Sequence, residues 1–249
     1  MNTIRMMVTG AAILGACASA RADFFADFDS YASGARLQGV DGWKGWDNVP
    51  AVAGMVSNSV AYDGANSLKV SAGGGGYTDA VHQFSGVSSN TWSVSAMQYL
   101  GAGQGGSTYF ILMNKYSDGG NNNGQFWSTQ LRFDLGAGRV YDDIRGGSVA
   151  IVTNQWAAIR VDINFATNTV KSYYNNALIS SGAWTRGGAS ALSLAAIDLY
   201  TGDANTAYYD DVAVSDLSAL SVTRVPAPGA VVTAGLAGAL VLPIRRRRA

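Results

Sequence analysis

Apolar and polar residues alternate with period two along most of this chain. Ile159, Val161, Ile163 and Phe165 fall on one side of an extended segment, and Arg160, Asp162 and Asn164 on the other. That is the pattern of a half-buried strand. Trp92, Val94 and Ala96 alternate in the same way with Thr91, Ser93 and Ser95, Leu131 and Phe133 with Arg132 and Asp134, and Val212 and Val214 with Ala213 and Ser215. Further strands are predicted over 24–29, 52–57, 67–71, 77–84, 108–115, 169–175 and 192–201. Helical periodicity is scarce. Trp92 and Trp156 are expected to be core rings.

Turn chemistry separates these segments. Asp63-Gly64, Asp118-Gly119-Gly120 and Asn123-Gly124 suit positions that need positive φ, and Gly73 to Gly76 reads as a flexible loop. Many short strands divided by such turns predict an all-β fold, an antiparallel β-sandwich. No internal repeat and no interior linker is evident, so 23–220 reads as one domain, long enough to bury a substantial core. The boundary to the tail falls near 221–226.

The two ends have a different pattern. Arg5 precedes an apolar run from Met6 to Ala18, and Ala20-Arg21-Ala22 offers small residues at both recognition positions of a signal peptidase. Residues 1–22 are therefore expected to be a signal peptide cleaved after Ala22. Leu14-Gly15-Ala16-Cys17 offers a rival reading, a lipoprotein signal with Cys17 lipidated. At the other end, residues 225–249 begin with Val225-Pro226-Ala227-Pro228, continue through an apolar stretch over 229–244, and close on Arg245, Arg246, Arg247, Arg248 and Ala249. As a helix the stretch would be ~24 Å long against a hydrocarbon core of ~30 Å, a marginal transmembrane helix. Arginines after it would stay cytoplasmic, with the body on the far side of the membrane.

The tail resembles the PEP-CTERM sorting signal of Gram-negative bacteria that make extracellular polysaccharide. Pro226, Pro228, the apolar stretch and Arg245 to Arg248 carry the resemblance, and Ala227 stands where that family has Glu. It implies an exosortase-type processing enzyme as a partner, beside the export machinery and signal peptidase. A permanent single-span anchor would have the same sequence pattern. The body resembles concanavalin A-like, laminin G-like jelly rolls through Asp27-Phe28-Asp29-Ser30-Tyr31, through the segment from Trp156 to Asn176 with its turn Ala166-Thr167-Asn168, and through Tyr209-Asp210-Asp211-Val212. This implies a sandwich with a concave face, often sugar-binding, whose last strand lies beside the first.

Composition narrows the function classes. All 17 acidic residues are Asp. Setting aside Arg5, Arg21 and Arg245 to Arg248 leaves 11 of the 17 basic residues, so the body carries a formal charge of −6 although the full chain is neutral. An acidic body without a basic patch argues against nucleic-acid binding. Cys17 is the only cysteine and lies in the export segment, so disulfides do not hold the body together. The chain also lacks the glutamate pair of sandwich glycosidases, a Gly-x-Ser-x-Gly elbow and a cluster of histidines.

Three sets of residues remain as candidates. Flat aromatic faces with nearby polar groups bind sugars, and Trp43, Trp46, Trp127, Tyr141, Tyr173 and Trp184 are candidates for such contacts with an extracellular polysaccharide. No cofactor is required, but calcium takes six to eight oxygen ligands, and Asp27 and Asp29 on the first strand are candidates to meet Asp210 and Asp211 on the last around a structural Ca2+. His82, if it met Tyr174 and Arg132 on one face, would supply the base of a polysaccharide lyase. The expectation is an exported, non-catalytic, polysaccharide-binding protein, anchored at the envelope or released to the surface. A purely structural matrix protein and a lyase using His82 are the alternatives.

Overall fold

The computed structural model describes residues 24–72, 76–120, 124–186, 191–203 and 205–218. The expected signal peptide, the Pro226-Ala227-Pro228 motif, the apolar stretch and Arg245 to Arg248 lie outside the described residues. Among those described, no helix is long and apolar enough to cross a membrane.

Among the described residues, fifteen strands form two antiparallel sheets. In chain order they are β1 Phe24–Ala26, β2 Trp43–Gly45, β3 Met55–Ser57, β4 Ser67–Ser71, β5 Thr78–Gln83, β6 Thr91–Leu100, β7 Ser107–Lys115 and β8 Phe126–Asp134, followed by β9 Arg139–Asp142, β10 Ser148–Ala150, β11 Trp156–Asn164, β12 Thr169–Tyr174, β13 Ala177–Ala183, β14 Ala196–Thr201 and β15 Thr206–Asp216. One sheet runs β13-β12-β11-β6-β15-β4-β3, with β1 also on β15; the facing sheet runs β10-β9-β8-β7-β14-β5-β2. The two are called sheet A and sheet B below. They form a sandwich of jelly-roll type, as expected. The first and last strands lie side by side, with Phe24 opposite Val214.

Alternation sets the core. Val94 and Ala96 on β6, Ile159, Val161 and Ile163 on β11, and Val212 and Val214 on β15 point inward from sheet A. Phe110, Leu112, Leu131, Phe133, Ile197 and Leu199 meet them from sheet B. Trp92 joins this core, whereas Trp156 does not. Its parity matches Ala158 and Arg160, so it lies half-buried on the outer face of sheet A against Tyr62 and Tyr99. The 24–29 segment is shorter than expected because Phe28 adopts φ 61°, which breaks the strand and drops its ring into the core 5.8 Å from Trp43. Residues 50–52 form a 3-10 turn rather than the start of a strand.

One buried ion pair ties the sheets together at one end. The Arg145 Nη1 donates to Asp142 Oδ2 at 3.2 Å, with the two side chains 8% and 0% exposed. Asp142 also accepts from the Ile144 and Arg145 amides and from Ser180 of β13. Arg145 in turn donates to the carbonyls of Ala183 on β13 and Ser128 on β8. Removing one partner of a buried pair leaves an uncompensated charge. Arg145→Met should therefore lower unfolding stability by about 3–5 kcal/mol in urea denaturation. A loss below about 1 kcal/mol would mean that the pair contributes little.

Candidate functional site

The pleat that sends Phe110, Leu112, Ile197 and Leu199 inward sends their neighbours to the outer face of sheet B. There Val81, Ile111, Met113, Tyr116 and Ala196 form a second apolar cluster, with Trp46, Tyr109 and Trp127 packed against it. Trp127 reaches this face through an irregularity. Leu131 and Thr129 have its parity, and Leu131 belongs to the main core. Between β7 and β8 the register shifts, so that Leu112 faces Thr129 but Met113 faces Trp127. Ser128 is the extra residue of a β-bulge, and such a bulge re-aims the next side chain. Arg145 holds the Ser128 carbonyl.

Trp46 comes from the loop after β2. Gly45 admits that loop because a Cβ there would lie 2.0 Å from the Val49 carbonyl oxygen. Asp47, at φ 53°, then ties the loop down. Its amide donates to Tyr116 Oη at 3.0 Å, and its Oδ1 accepts from the Gly119 amide at 2.9 Å and from Gln125 Nε2 at 2.6 Å. Trp46 thereby stacks on Trp127 with 5.9 Å between ring centres and 19° between planes, and meets the Tyr116 ring edge-on. Tyr109 and Tyr200, 5.5 Å apart, form the other wall. The cleft between has a volume of about 360 Å³, within the ~300–1,000 Å³ range of small-molecule sites.

Two carboxyl groups sit at its base. Asp79 on β5 and Asp198 on the central strand β14 line the cleft with Gln130. They are 9% and 3% exposed, and the Oδ1 of each has no hydrogen-bond partner. Their side chains hydrogen-bond each other. Burial pushes Asp198 well above the usual carboxylate range, and the neighbouring Asp79 charge raises it further. Burial also raises Asp79, to about 6; the hydrogen bond from Asp198 opposes this and the Asp47 charge adds to it. Two like charges in contact do not both ionise readily. Proton binding is therefore favoured at this pair, most strongly at the more deeply buried Asp198.

The structure divides the residues singled out from the sequence. Trp46 and Trp127 line this cleft. Tyr141 lies further along the same face of sheet B, its ring covered by Arg132 at 4.8 Å. Tyr173 is on the outer face of sheet A, under Arg160 at 4.2 Å. Trp43 and Trp184 are corrections to the sugar-contact expectation. They are 1% and 0% exposed and belong to the core, because Trp43 lies inward on β2 and Trp184 packs edge-on against Phe165.

His82, Tyr174 and Arg132 do not share a face. His82 points inward among Phe24, Trp43 and Phe84, with Nε2 3.0 Å from the Asp41 carbonyl oxygen. Burial lowers its pKa to about 4, so it is neutral at neutral pH. Tyr174 is buried in the core on β12. Arg132 lies on the outer face of sheet B, bound to Asp143 and Asp134.

Of the four aspartates proposed for calcium, Asp27 and Asp29 follow β1 rather than lying on it, and backbone amides already occupy Asp29 and Asp210. Asp29 Oδ1 accepts from the Ala65 and Asn66 amides, and Asp210 from those of Tyr62 and Asp211. Among the described residues, no group of three His, Cys, Asp or Glu is placed to hold a metal ion.

No protein-family model and no curated protein matches the chain. Several solved structures share its fold. An endo-beta-1,4-glucuronan lyase from the fungus Trichoderma reesei is similar over 78% of this chain and 95% of its own, at 14% identity and a TM-score of 0.53. A cellulose induced protein, Cip1, is similar over 78% and 97% respectively, at 15% identity and a TM-score of 0.51. A sialidase matches 80% of this chain with only 19% of its own length, at 11% identity and a TM-score of 0.53. These likenesses show a common two-sheet fold.

The raised Asp79 pKa has a direct consequence for stability. Because folding raises it from 3.8 to about 6, its contribution is fully present below pH 4 and is lost as pH rises through 6. Asp79→Asn removes that loss. At pH 7.5 the variant should be more stable than the native chain by on the order of 1–3 kcal/mol, and at pH 3.5 the two should agree. Denaturation curves at the two pH values measure this, and an equal difference at both would contradict a proton-sharing pair.

Proposed function

We propose that this chain is an exported bacterial surface protein whose sandwich binds an extracellular polysaccharide, without cleaving it, in the cleft on the outer face of sheet B. The observation that carries this reading is the combination within one cleft of stacked Trp46 and Trp127 with the buried carboxyl pair of Asp79 and Asp198. Indole faces suit the apolar face of a sugar ring, and the carboxyl oxygens of the pair, with Gln130, suit its hydroxyls. The fold is also one on which a glucuronan lyase is built. Export rests on the amino-terminal segment. Sorting to the envelope by an exosortase-type enzyme, or release after processing, rests on the tail.

The non-catalytic part of the proposal has its own support. Glycosidase carboxyls stand roughly 5–9.5 Å apart so that a sugar or a water fits between them. Asp79 and Asp198 instead hydrogen-bond each other. His82, the base of the alternative lyase reading, lies on the opposite face of β5 from Asp79.

Native gels containing soluble polysaccharides provide the test. The native chain should be retarded by at least one of them, and Trp127→Ala should weaken binding by about ten- to a hundredfold, from a stacking loss of about 1–3 kcal/mol. Retardation that survives both Trp127→Ala and Trp46→Ala would place binding elsewhere. Absence of retardation in any gel would favour a purely structural role. An unsaturated product absorbing in the ultraviolet would favour a lyase.

A further inference from the structure

We propose that the cleft selects an amino sugar, with the protonated amine of an unsubstituted hexosamine seated on Asp79 and Asp198. This inference rests on the reading of the cleft as the polysaccharide site and names the class of polysaccharide. Asp198 is 3% exposed and lines the cleft beside Asp79, so two carboxyls meet in a cleft walled by aromatic rings. A buried carboxylate is costly without a compensating partner. A ligand that reaches the pair meets carboxyl oxygens, and an ammonium offers them three donors.

The charges around the pair favour a cation. No basic side chain lines the cleft among the described residues. The two cations nearest on that face are already held. Lys44 on β2 binds Asp118 at 2.7 Å and Gln83 at 2.6 Å, and Arg132 on β8 binds Asp143 and Asp134. The Asp47 carboxylate adds negative charge at Asp79. Tyr109 and Tyr200, facing the pair from β7 and β14, have their hydroxyls held in the neutral form by burial. The aromatic walls attract a cation through their faces. A uronate would meet repulsion here. A calcium ion would need six to eight oxygens, and two carboxyls with one amide fall short of that.

The proton balance follows from the arrangement. Burial and mutual repulsion favour a bound proton on the empty pair. An incoming ammonium supplies the positive charge that this proton supplied. A carboxyl O–H bond breaks, the proton leaves to solvent, and carboxylates face one ammonium. Binding should therefore be accompanied by proton release, which neutral sugars would not cause.

Calorimetry at pH 6 in buffers of different ionisation enthalpy tests this on the mature chain. The probes are a β-1,4-glucosamine hexamer, its fully N-acetylated counterpart and an oligoglucuronate. The glucosamine hexamer should bind at least about tenfold more tightly than the acetylated one, with proton release, and the oligoglucuronate most weakly. Asp198→Asn, which keeps the shape, should abolish both the preference and the release. Equal affinity for the two hexamers, tighter uronate binding, or a preference that survives Asp198→Asn would overturn the amine inference while leaving the cleft as a glycan site. Failure of all three probes, together with absence of retardation in neutral polysaccharide gels, would overturn the glycan reading itself.

Discussion

Packing of Phe110, Leu112, Leu131, Phe133, Ile197 and Leu199 against sheet A fixes the direction of every other side chain on the central strands of sheet B. The strand period leaves no freedom once those rings and branches are committed, since a one-residue slip would turn them all to solvent. Asp79, Tyr109, Ile111, Asp198 and Tyr200 share the outer face as a consequence of that core. The bulge at Ser128 departs from that alternation and brings Trp127 to the same face. The buried Asp142–Arg145 pair holds the bulge carbonyl, so an ion pair between the sheets also positions one wall of the cleft.

Much of the fold was legible as alternation. The long strands β6, β11 and β15 were visible because one of their faces is polar. The hairpin from Trp156 to Asn176 was equally clear, with its turn closed by Asn168 at φ 51°. The short strands β2, β9 and β10 were not, because three or four residues carry too few alternations to register. The strand β13 was hidden because Ala177-Leu178-Ile179-Ser180-Ser181-Gly182 has no clean period.

The site was legible only in part, for a related reason. An outer face with an apolar floor weakens the contrast on which pattern reading depends, so β7 and β14 show little alternation. Asp198 between Ile197 and Leu199, and Asp79 before Ala80 and Val81, were the available signals: a lone carboxyl inside an apolar strand asks what satisfies it. Strand parity alone assigns Trp127 to the core, and the bulge that turns it outward leaves no mark in the alternation. Trp43 and Trp184 sit in turn-rich stretches that suggest exposure, yet both rings fill the interior. Apart from placing Trp46 and Trp127, the aromatic count said little about which face a ligand would meet.

A raised carboxyl pair costs stability at neutral pH, and the fold retains it in a cleft walled by aromatic rings. That juxtaposition is the centre of the account. The most direct measurement is a crystal structure of the mature chain with a bound oligosaccharide. The account predicts one sugar ring against the Trp127 indole, with a polar substituent within hydrogen-bond distance of both Asp79 and Asp198. A sugar found instead on the outer face of sheet A, beside Tyr62 and Tyr173, with the sheet B cleft empty, would contradict it.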